Sequence, residues 1–297
     1  PKEKAKGENH SLKTIGLVVA DLTISFHSDI ARAVEDEAHK RDCQIILGNS
    51  DNNAQKEEIY MRRFCSQQIA GMVIVTDKSS LENKYFQHLD KSIPLVIVDA
   101  FVDGVQADYV TTDDLTGAHE ATKHLIELGH GRIAHLRGRE NISTSHNRLA
   151  GYKKALMEAR IGPDEELIKT TDFTEEGGYQ AMKELLIMDN RPTAVFAVTD
   201  MAAAGAIQAI REAGLEVPDD ISVVGYGGLN NKLNLDIPLT TVSQPAYEMG
   251  KISTRILFEK IEGKRNISDI KEIILPTKLI LRSSSGRVLE RAEIEVL

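Results

Sequence analysis

The chain alternates between short apolar runs and longer segments in which apolar residues recur at helical spacing. Runs rich in β-branched residues, with the length of buried strands, occur in the first half at 14–20, 43–47, 71–75 and 94–98. The segments between them place their apolar residues on one face and predict helices at 26–41, 54–67 and 81–90. Strict alternation of strands and helices predicts a parallel sheet with right-handed crossovers.

A second series of the same kind follows a less regular stretch at 99–113, for which neither a strand nor a helix is predicted. Its strands are expected at 132–136 and 167–171, and its helices at 114–128, 145–160 and 175–187. A helix at 246–262 and a strand at 273–281 come last. Because both series repeat strand, polar loop and helix, we predict an α/β fold of two similar, doubly wound parallel-sheet lobes.

The clearest single unit of the chain is 191–228, which reads as strand, helix and strand. The short apolar run 194–198 predicts a buried strand, and Asp200 is the expected N-cap of the helix that follows. Gly214 is placed to end that helix in the left-handed conformation. Polar residues follow both strands of the unit, and open α/β sheets bind ligands at the carboxyl ends of their strands.

Composition bounds the function. A chain of 297 residues is long enough for two cores, and no apolar run reaches the roughly 18–20 residues of a membrane helix. The first ten residues are charged and do not predict a secretory leader. The net charge of −9 argues against DNA binding by this segment alone, because DNA affinity depends on clustered Lys and Arg. Cys43 and Cys65 have no motif spacing; free thiols in a reducing compartment are expected, and a disulfide stays open.

Motifs of common enzyme and metal sites are not found in the sequence. The glycines at 225–228 lack the spacing of a dinucleotide-binding loop, and no Walker, zinc-protease or nucleophile-elbow motif occurs. The nine histidines are scattered and do not pair with Cys or carboxylates at ligand spacing. We therefore expect a binding protein with no cofactor, no metal and no catalytic residues.

Two α/β lobes predict a ligand cleft between them, lined by residues that follow the strands. This rule selects polar and aromatic positions in both lobes, namely 21–27, Thr76, Asp77, Asp99, 137–148, Asp172, Phe173, Thr199, Asp200 and 226–230. Carboxylates accept paired hydroxyl hydrogen bonds, Arg donates a fork, and aromatic faces stack on rings. Such a set suits a polyhydroxylated ligand.

Four ordered motifs then resemble one family. The stretch AVFAVTDMAAAGAIQAIREAGLEVPDDISVVGYGG followed by PLTTVSQP is similar to the signature region of the Lac/Gal repressor (LacI/GalR) family of bacterial transcription regulators. HLIELGHGRIAHLRG at 124–138 and NRLAGYKKAL at 147–156 resemble two further motifs of that family. The resemblance runs from about residue 13 to about residue 284.

The resemblance implies the effector-sensing and dimerisation core of a cytoplasmic, DNA-binding transcription regulator, which is expected to be a repressor. It implies a periplasmic-binding-protein-like fold whose chain crosses between lobes three times. The implied divisions are a linker or hinge remnant at 1–13, an N-terminal lobe at 14–113 plus 244–268, a C-terminal lobe at 114–243 plus 269–285, and an extension at 286–297. Implied partners are a small effector, a second copy paired through helices of the first lobe, and operator DNA bound by a headpiece outside this chain; no membrane is involved.

The resemblance also sharpens the list of ligand-binding residues. Arg148 aligns with the family's ligand-gripping arginine, the alternative being a surface helix cation. As a cleft arginine it is expected to hold no core together. Phe173 falls where the family stacks an aromatic ring, the alternative being a core contact. The remaining implied positions, some of which fulfil this role in only part of the family, are Asp99, Asp113, His27 and Gln244. Asp113 is equally suited to cap helix 114–128.

Two positions depart from the family pattern. Many sugar-binding members carry a carboxylate where this chain has Gly227, and Asn where it has Thr199 beside Asp200. Both changes remove polar contacts to a ligand. The implied effector is a sugar or sugar derivative, with a phosphorylated metabolite or another small molecule left open.

The rival interpretation is an extracytoplasmic solute-binding receptor, which shares the two-lobe fold. A third interpretation, an α/β enzyme, is disfavoured by the missing motifs.

Overall fold

A computed structural model describes residues 13–76, 85–86, 93–102, 104–140, 142–229 and 235–288. The predicted linker at 1–13 lies outside the described residues except for Lys13, as does most of the helix predicted at 81–90. The last nine residues of the predicted extension at 286–297 also lie outside them. Cys43 and Cys65 form no disulfide bond.

The first lobe is built on a six-stranded sheet in which every neighbouring pair is parallel. Its strands, in chain order, are β1 (Thr14–Val19), β2 (Gln44–Asn49), β3 (Gly71–Thr76), β4 (Leu95–Asp99), β5 (Asp108–Thr112) and, much later, β11 (Glu272–Leu275). Across the sheet the order is β11-β5-β4-β3-β1-β2. The described helices of this lobe are α1 (Ser25–His39), α2 (Ala54–Ser66) and α7 (Ala246–Ile261), the last packing on α1.

The second lobe repeats this arrangement. Its strands are β6 (Ile133–Arg137), β7 (Ile168–Thr170), β8 (Ala194–Ala197), β9 (Ser222–Gly227), β10 (Thr240–Ser243) and β12 (Lys278–Ile280). They lie in the order β12-β10-β9-β8-β6-β7, and only the β10–β12 pair is antiparallel among these described strands. The helices are α3 (Asp114–Glu127), α4 (Ser143–Glu158), α5 (Glu175–Leu186) and α6 (Asp200–Glu212), with one 3-10 turn at Glu165–Leu167. The predicted two-lobe α/β class is confirmed.

Each sheet is covered by helices on both faces, which explains why its strands read as continuous apolar runs. Residues Met72–Val75 of β3 and Val195–Ala197 of β8 are fully buried. In each lobe the described core divides into two apolar clusters, one on either face of the sheet. The sequence pattern therefore located the core strands correctly.

One predicted helix cap is wrong. Thr199, not Asp200, is the N-cap of α6, and its Oγ1 accepts a hydrogen bond from the Ala202 amide at 3.1 Å. Asp200 is the first helical residue, and its carboxylate accepts hydrogen bonds from the Leu229 amide and from the Thr241 hydroxyl. Those partners come from distant loops and strands, so local sequence could not reveal that this carboxylate was already used.

The chain passes between lobes at three points, and two of them lie near the predicted positions. The first passage follows β5 at Asp113, and the second joins β10 to α7 through Gln244 and Pro245. The predicted third boundary at 268/269 is wrong, because β11 pairs with β5 in the first lobe. The chain crosses only after Leu275, at Pro276 and Thr277.

Two further stretches have a different secondary structure from the predicted one. The single strand expected at 273–281 is two strands in different sheets, separated at Pro276, which has no amide hydrogen for a ladder. The stretch 99–113, expected to be irregular, contains β5. This strand has polar residues at both ends, so it does not form the apolar run by which the other strands were predicted. Asp108, at its first position, is fully buried and paired with Lys260 at 2.7 Å.

Candidate functional site

A cavity of about 110 Å³ lies between the lobes at the carboxyl ends of the strands. The first lobe contributes His27 from α1 and Asp99 from the end of β4. The second contributes Arg148 from α4, Phe173 after β7 and Thr199 before α6, while Gln244 lies in the second crossing segment. The remaining lining residues are Ile24, Phe26, Thr144, Met201, Tyr226, Gly227 and Leu229.

Arg148 is the most constrained side chain of this cavity. It is only 5% exposed, so the surface-cation alternative is wrong. Its Nε and Nη2 both lie 2.9 Å from Oδ1 of Asp114, and its Nη1 donates to the Val198 carbonyl at 2.8 Å. A guanidinium has five N–H donors, so these contacts leave two for other partners. The residue thus joins α4, α3 and the end of β8.

The electrostatic surroundings keep this guanidinium charged. The centre of the Tyr226 ring lies 3.8 Å from Arg148 Cζ, which fixes the plane of the fork by a cation–π contact. Burial opposes the charged form, but the attraction of Asp114, Tyr226 and Asp99 outweighs it and raises the pKa of Arg148. Because Arg148 also joins two helices to a strand end through its contacts with Asp114 and Val198, the expectation that this arginine holds no core together is wrong.

Phe173 is held in a left-handed backbone conformation with φ +72°. The Thr199 hydroxyl donates to its carbonyl at 3.0 Å, so the α6 cap also fixes the loop that carries the ring. Gly138 lies under the ring, where a Cβ would come within 2.4 Å of Phe173 Cζ. Phe173 is half-buried and its side chain lines the cavity. Stacking of its ring on a ligand stays a prediction.

Asp99 and His27 are the ionisable side chains that the first lobe contributes to the cavity wall. Asp99 is 8% exposed and has φ +83°, a backbone conformation that non-glycine residues seldom adopt and that concentrates at functional sites. His27 is buried, and its Nδ1 lies 3.0 Å from the Asp21 carbonyl. A carbonyl can only accept, so the proton is on Nδ1 and the ring orientation is fixed.

The remaining predicted positions separate into those on the cavity and those beside it. Gln244 lines the cavity and donates from Nε2 to Thr112 Oγ1 at 3.1 Å. Asp113 does not line it; its carboxylate accepts from the Thr116 amide at 3.0 Å, which supports the capping alternative. Asp200 is not among the residues of the cavity wall, because its carboxylate binds the loop after β9. Burial of this carboxyl group raises its pKa.

Gly227 reaches the cavity wall with φ +133°. A Cβ there would lie 3.5 Å from Oδ2 of Asp200. Gly227 therefore lacks the carboxylate found in many family members, and its backbone conformation is one that disfavours any side chain.

Sequence reasoning selected the correct loops but missed several lining side chains. Thr144 and Tyr226 lie inside ranges predicted from strand ends without being singled out. Ile24 and Leu229 also lie inside such ranges, whereas Met201 lies outside them, and none of the three has a polar group that could have singled it out. Asp114, the partner of Arg148, could have been recognised from the adjacent pair of aspartates at the crossing.

Among the described residues no group of three or more His, Cys, Asp or Glu could hold a metal ion. Within the same residues no helix has both the length and the apolar character needed to traverse a bilayer. The described groups of the cavity are one buried, paired arginine, one buried carboxylate, one buried imidazole, hydroxyl and amide groups, and apolar and aromatic faces.

The chain matches known proteins over most of its length. Residues 122–285 match the family model described as periplasmic binding protein-like domain. The HTH-type transcriptional repressor PurR of Erwinia tasmaniensis is 36% identical over 278 residues, which cover 93% of this chain and 80% of that relative. The ribose operon repressor of Haemophilus influenzae is 32% identical over 272 residues, covering 92% of this chain and 81% of that relative.

The similarity to known regulators extends to the three-dimensional fold. A LacI family transcriptional regulator from Enterococcus faecium with bound ribose has a TM-score of 0.82 and 32% identity, and the match covers 93% of this chain and 100% of that one. Its description as a regulator favours the same class over an extracytoplasmic receptor. The four sequence motifs, the two-lobe fold and these relatives agree: the chain belongs to the LacI/GalR family and is the effector-binding core of a transcription regulator.

Proposed function

We propose that this core binds a small effector, a sugar or sugar derivative, in the cavity between the lobes. The observation that carries the proposal is Arg148, a buried guanidinium that lines the cavity together with Asp99 and Phe173 and has two N–H donors beyond those used in its contacts with the described residues Asp114 and Val198. A guanidinium fork and a carboxylate bind vicinal hydroxyls, and an aromatic face packs on a sugar ring. The ribose bound by the Enterococcus faecium relative supports this ligand class.

Effector binding changes DNA affinity through the relative orientation of the lobes. The cavity takes side chains from both lobes and from the crossing segment at Gln244. A ligand that fits one orientation better than the other shifts their populations by its difference in affinity. Coupling of this kind typically amounts to about 1–3 kcal/mol.

The rest of the proposed assembly is a cytoplasmic homodimer with no membrane contact. The helices α1 and α2 of the first lobe pair the two copies. Operator DNA is bound through a headpiece joined to the core, because a core with net charge −9 is poorly suited to phosphate contacts. Light scattering at micromolar concentration should give twice the mass of one chain, and a monomer would contradict this arrangement.

The ligand proposal is tested by calorimetry with pentoses, hexoses and nucleosides. At least one should bind, and Arg148→Lys should weaken it by more than about tenfold, because lysine keeps the charge but loses the fork geometry. The matched control is Arg160→Lys, an exposed position just beyond the opposite end of α4. Unchanged affinity in Arg148→Lys would contradict the placement of the site.

A further inference from the structure

The side chain of Tyr226 extends from the central cavity to the third crossing between the lobes. Its ring centre lies 3.8 Å from Arg148 Cζ, and Tyr226 is one of the residues that line the cavity. Its hydroxyl lies on the other side, where Thr277 ends the crossing and Gly117 belongs to α3. A Cβ added at Gly117 would lie 2.8 Å from Tyr226 Oη and 2.5 Å from Thr277 Oγ1. The two hydroxyls therefore meet at this glycine.

Gly117 leaves the space in which these hydroxyls approach each other. Glycine within a helix is unfavourable, because it loses more conformational freedom on folding than other residues do. A side chain at this position would also meet Cγ1 of Val242 in β10 at 3.1 Å. The missing side chain at 117 thus allows the third crossing to reach Tyr226.

The Tyr226 hydroxyl has polar neighbours but incomplete hydrogen bonding. It lies beside the Asp114 carboxylate and the Thr277 hydroxyl, yet no described residue completes a hydrogen bond of full geometry with it. Burial, together with Asp114, raises the pKa of Tyr226, so the hydroxyl keeps its proton. A buried hydroxyl without a well-formed bond is costly, so small displacements that improve or weaken these contacts change the energy of the arrangement.

Packing makes Tyr226 a stiff connection. The residue is 1% exposed, and the ring of Phe196 lies against it with the ring centres 6.4 Å apart. A tyrosine side chain has only two torsions, and a close-packed interior transmits displacements. A ligand that pulls on the Arg148 guanidinium therefore moves the face on which the Tyr226 ring packs.

The three crossings differ in their access to the cavity. Gln244 of the second crossing lines the cavity and is hydrogen-bonded to Thr112, immediately before the first. Pro276 and Thr277 of the third are not among the described residues that line it. A ligand in the cavity thus reaches the third crossing indirectly, and Tyr226 contacts both.

We propose that Tyr226 is a positioning residue that connects Arg148 to the third crossing, so that effector contact with the guanidinium shifts Thr277 and, with it, the orientation of the lobes. This inference rests on the proposed function, since it concerns how binding in the same cavity is transmitted. Tyr226 acts through Arg148 on one side and through Thr277 on the other.

A triple-mutant cycle in urea denaturation tests this connection without any effector. Its changes are Arg148→Lys, Thr277→Val and Tyr226→Phe, the last of which keeps the ring and removes the hydroxyl. With Tyr226 present, the unfolding constant of the Arg148→Lys/Thr277→Val variant should differ at least about threefold from the product of the two single effects. In the Tyr226→Phe background the two effects should multiply to within about twofold. Independent effects in both backgrounds, or equal coupling in both, would overturn the inference.

Ribose is the probe for transmission itself, and this measurement does not depend on the folding of Arg148→Lys. Tyr226→Phe and Thr277→Val should still bind ribose in calorimetry, but the ribose-induced change in radius of gyration, measured by small-angle X-ray scattering, should be smaller than in the parent. Tyr152→Phe is the matched control, because it removes an equally buried hydroxyl that donates to the Ile133 carbonyl at 2.8 Å. It should keep the parent response.

A full ribose response in Tyr226→Phe, or an equal loss in Tyr152→Phe, would overturn the inference and leave the proposed function intact. A parent that does not bind ribose would count against the proposed function, and the triple-mutant cycle alone would then decide whether Tyr226 connects Arg148 to Thr277.

Discussion

Gln244 and Thr112 are joined by a hydrogen bond of 3.1 Å from the amide Nε2 to the hydroxyl Oγ1, although 132 residues separate them in sequence. Thr112 ends β5 immediately before the first crossing between lobes, and Gln244 lies within the second. Two of the three connections are therefore tied to each other. Because Gln244 also lines the cavity, a ligand that contacts it acts directly on the connection between lobes.

Thr112→Val should loosen this connection. The change keeps the shape of a buried side chain but removes the acceptor, which leaves the Gln244 amide without this partner. We expect a loss of about 0.5–1.5 kcal/mol in the free energy of unfolding, measured by urea denaturation. Thr111→Val is the control, since neighbouring residues of a strand point to opposite faces. An equal effect of both changes would mean that the hydrogen bond contributes nothing specific.

Removing one partner of the Arg148–Asp114 pair should be strongly destabilising. Arg148→Met leaves a buried carboxylate, and Asp114→Asn leaves a buried guanidinium; each should lower the unfolding free energy by about 3–5 kcal/mol. The double variant should be less destabilised than the sum of the two, as a double-mutant cycle would show. Arg132→Met removes a more exposed pair with Asp164, at 3.0 Å, and should have an effect near 1 kcal/mol.

His135 should make stability depend on pH. It is fully buried between the rings of Tyr152 and Phe196, and burial lowers its pKa from 6.5 to about 4. The unfolded chain therefore binds the proton first, so stability decreases as pH falls from about 6.5 towards 4, by on the order of 3 kcal/mol.

His135→Phe removes this titration while keeping an aromatic ring in the stack. The slope of unfolding free energy against pH between 6.5 and 4 should become flatter than in the parent. His146→Gln, at an exposed position on α4, should keep the parent slope. A parent-like slope in His135→Phe would show that other groups control stability in this range.

Gly227→Asp should not improve binding of a neutral sugar, although it restores the carboxylate found in many family members. The position has φ +133°, and the new side chain would face the Asp200 carboxylate. We expect a loss of about 1–3 kcal/mol in unfolding free energy, together with weaker ligand binding. Gly162→Asp, where a Cβ meets nothing within 4 Å, is the matched control and should be nearly neutral. Tighter sugar binding by Gly227→Asp would contradict this expectation.

The apolar periodicity of the chain determined most of the fold. Buried strands such as β3 and β8 read as continuous apolar runs because helices cover both faces of the sheet. The apolar pattern did not predict strand β5, because the strand begins with the charged residue Asp108. Asp108 can be buried only because Lys260 and Arg265 lie beside it. A buried ion pair between distant segments leaves no local pattern in the sequence.

The sequence by itself determined the α/β class, the two lobes, the family and the loops that follow the strands, because these depend on local periodicity and on ordered motifs. It also indicated Arg148 as the central residue of the site. Only the tertiary structure decided what each polar group does. Asp114 holds Arg148, Thr199 caps α6 and fixes Phe173, and Asp200 holds the loop after β9. These roles depend on which hydrogen-bond partners the fold brings within about 3 Å, and side chains that look equally suited to a ligand become occupied once the chain is packed.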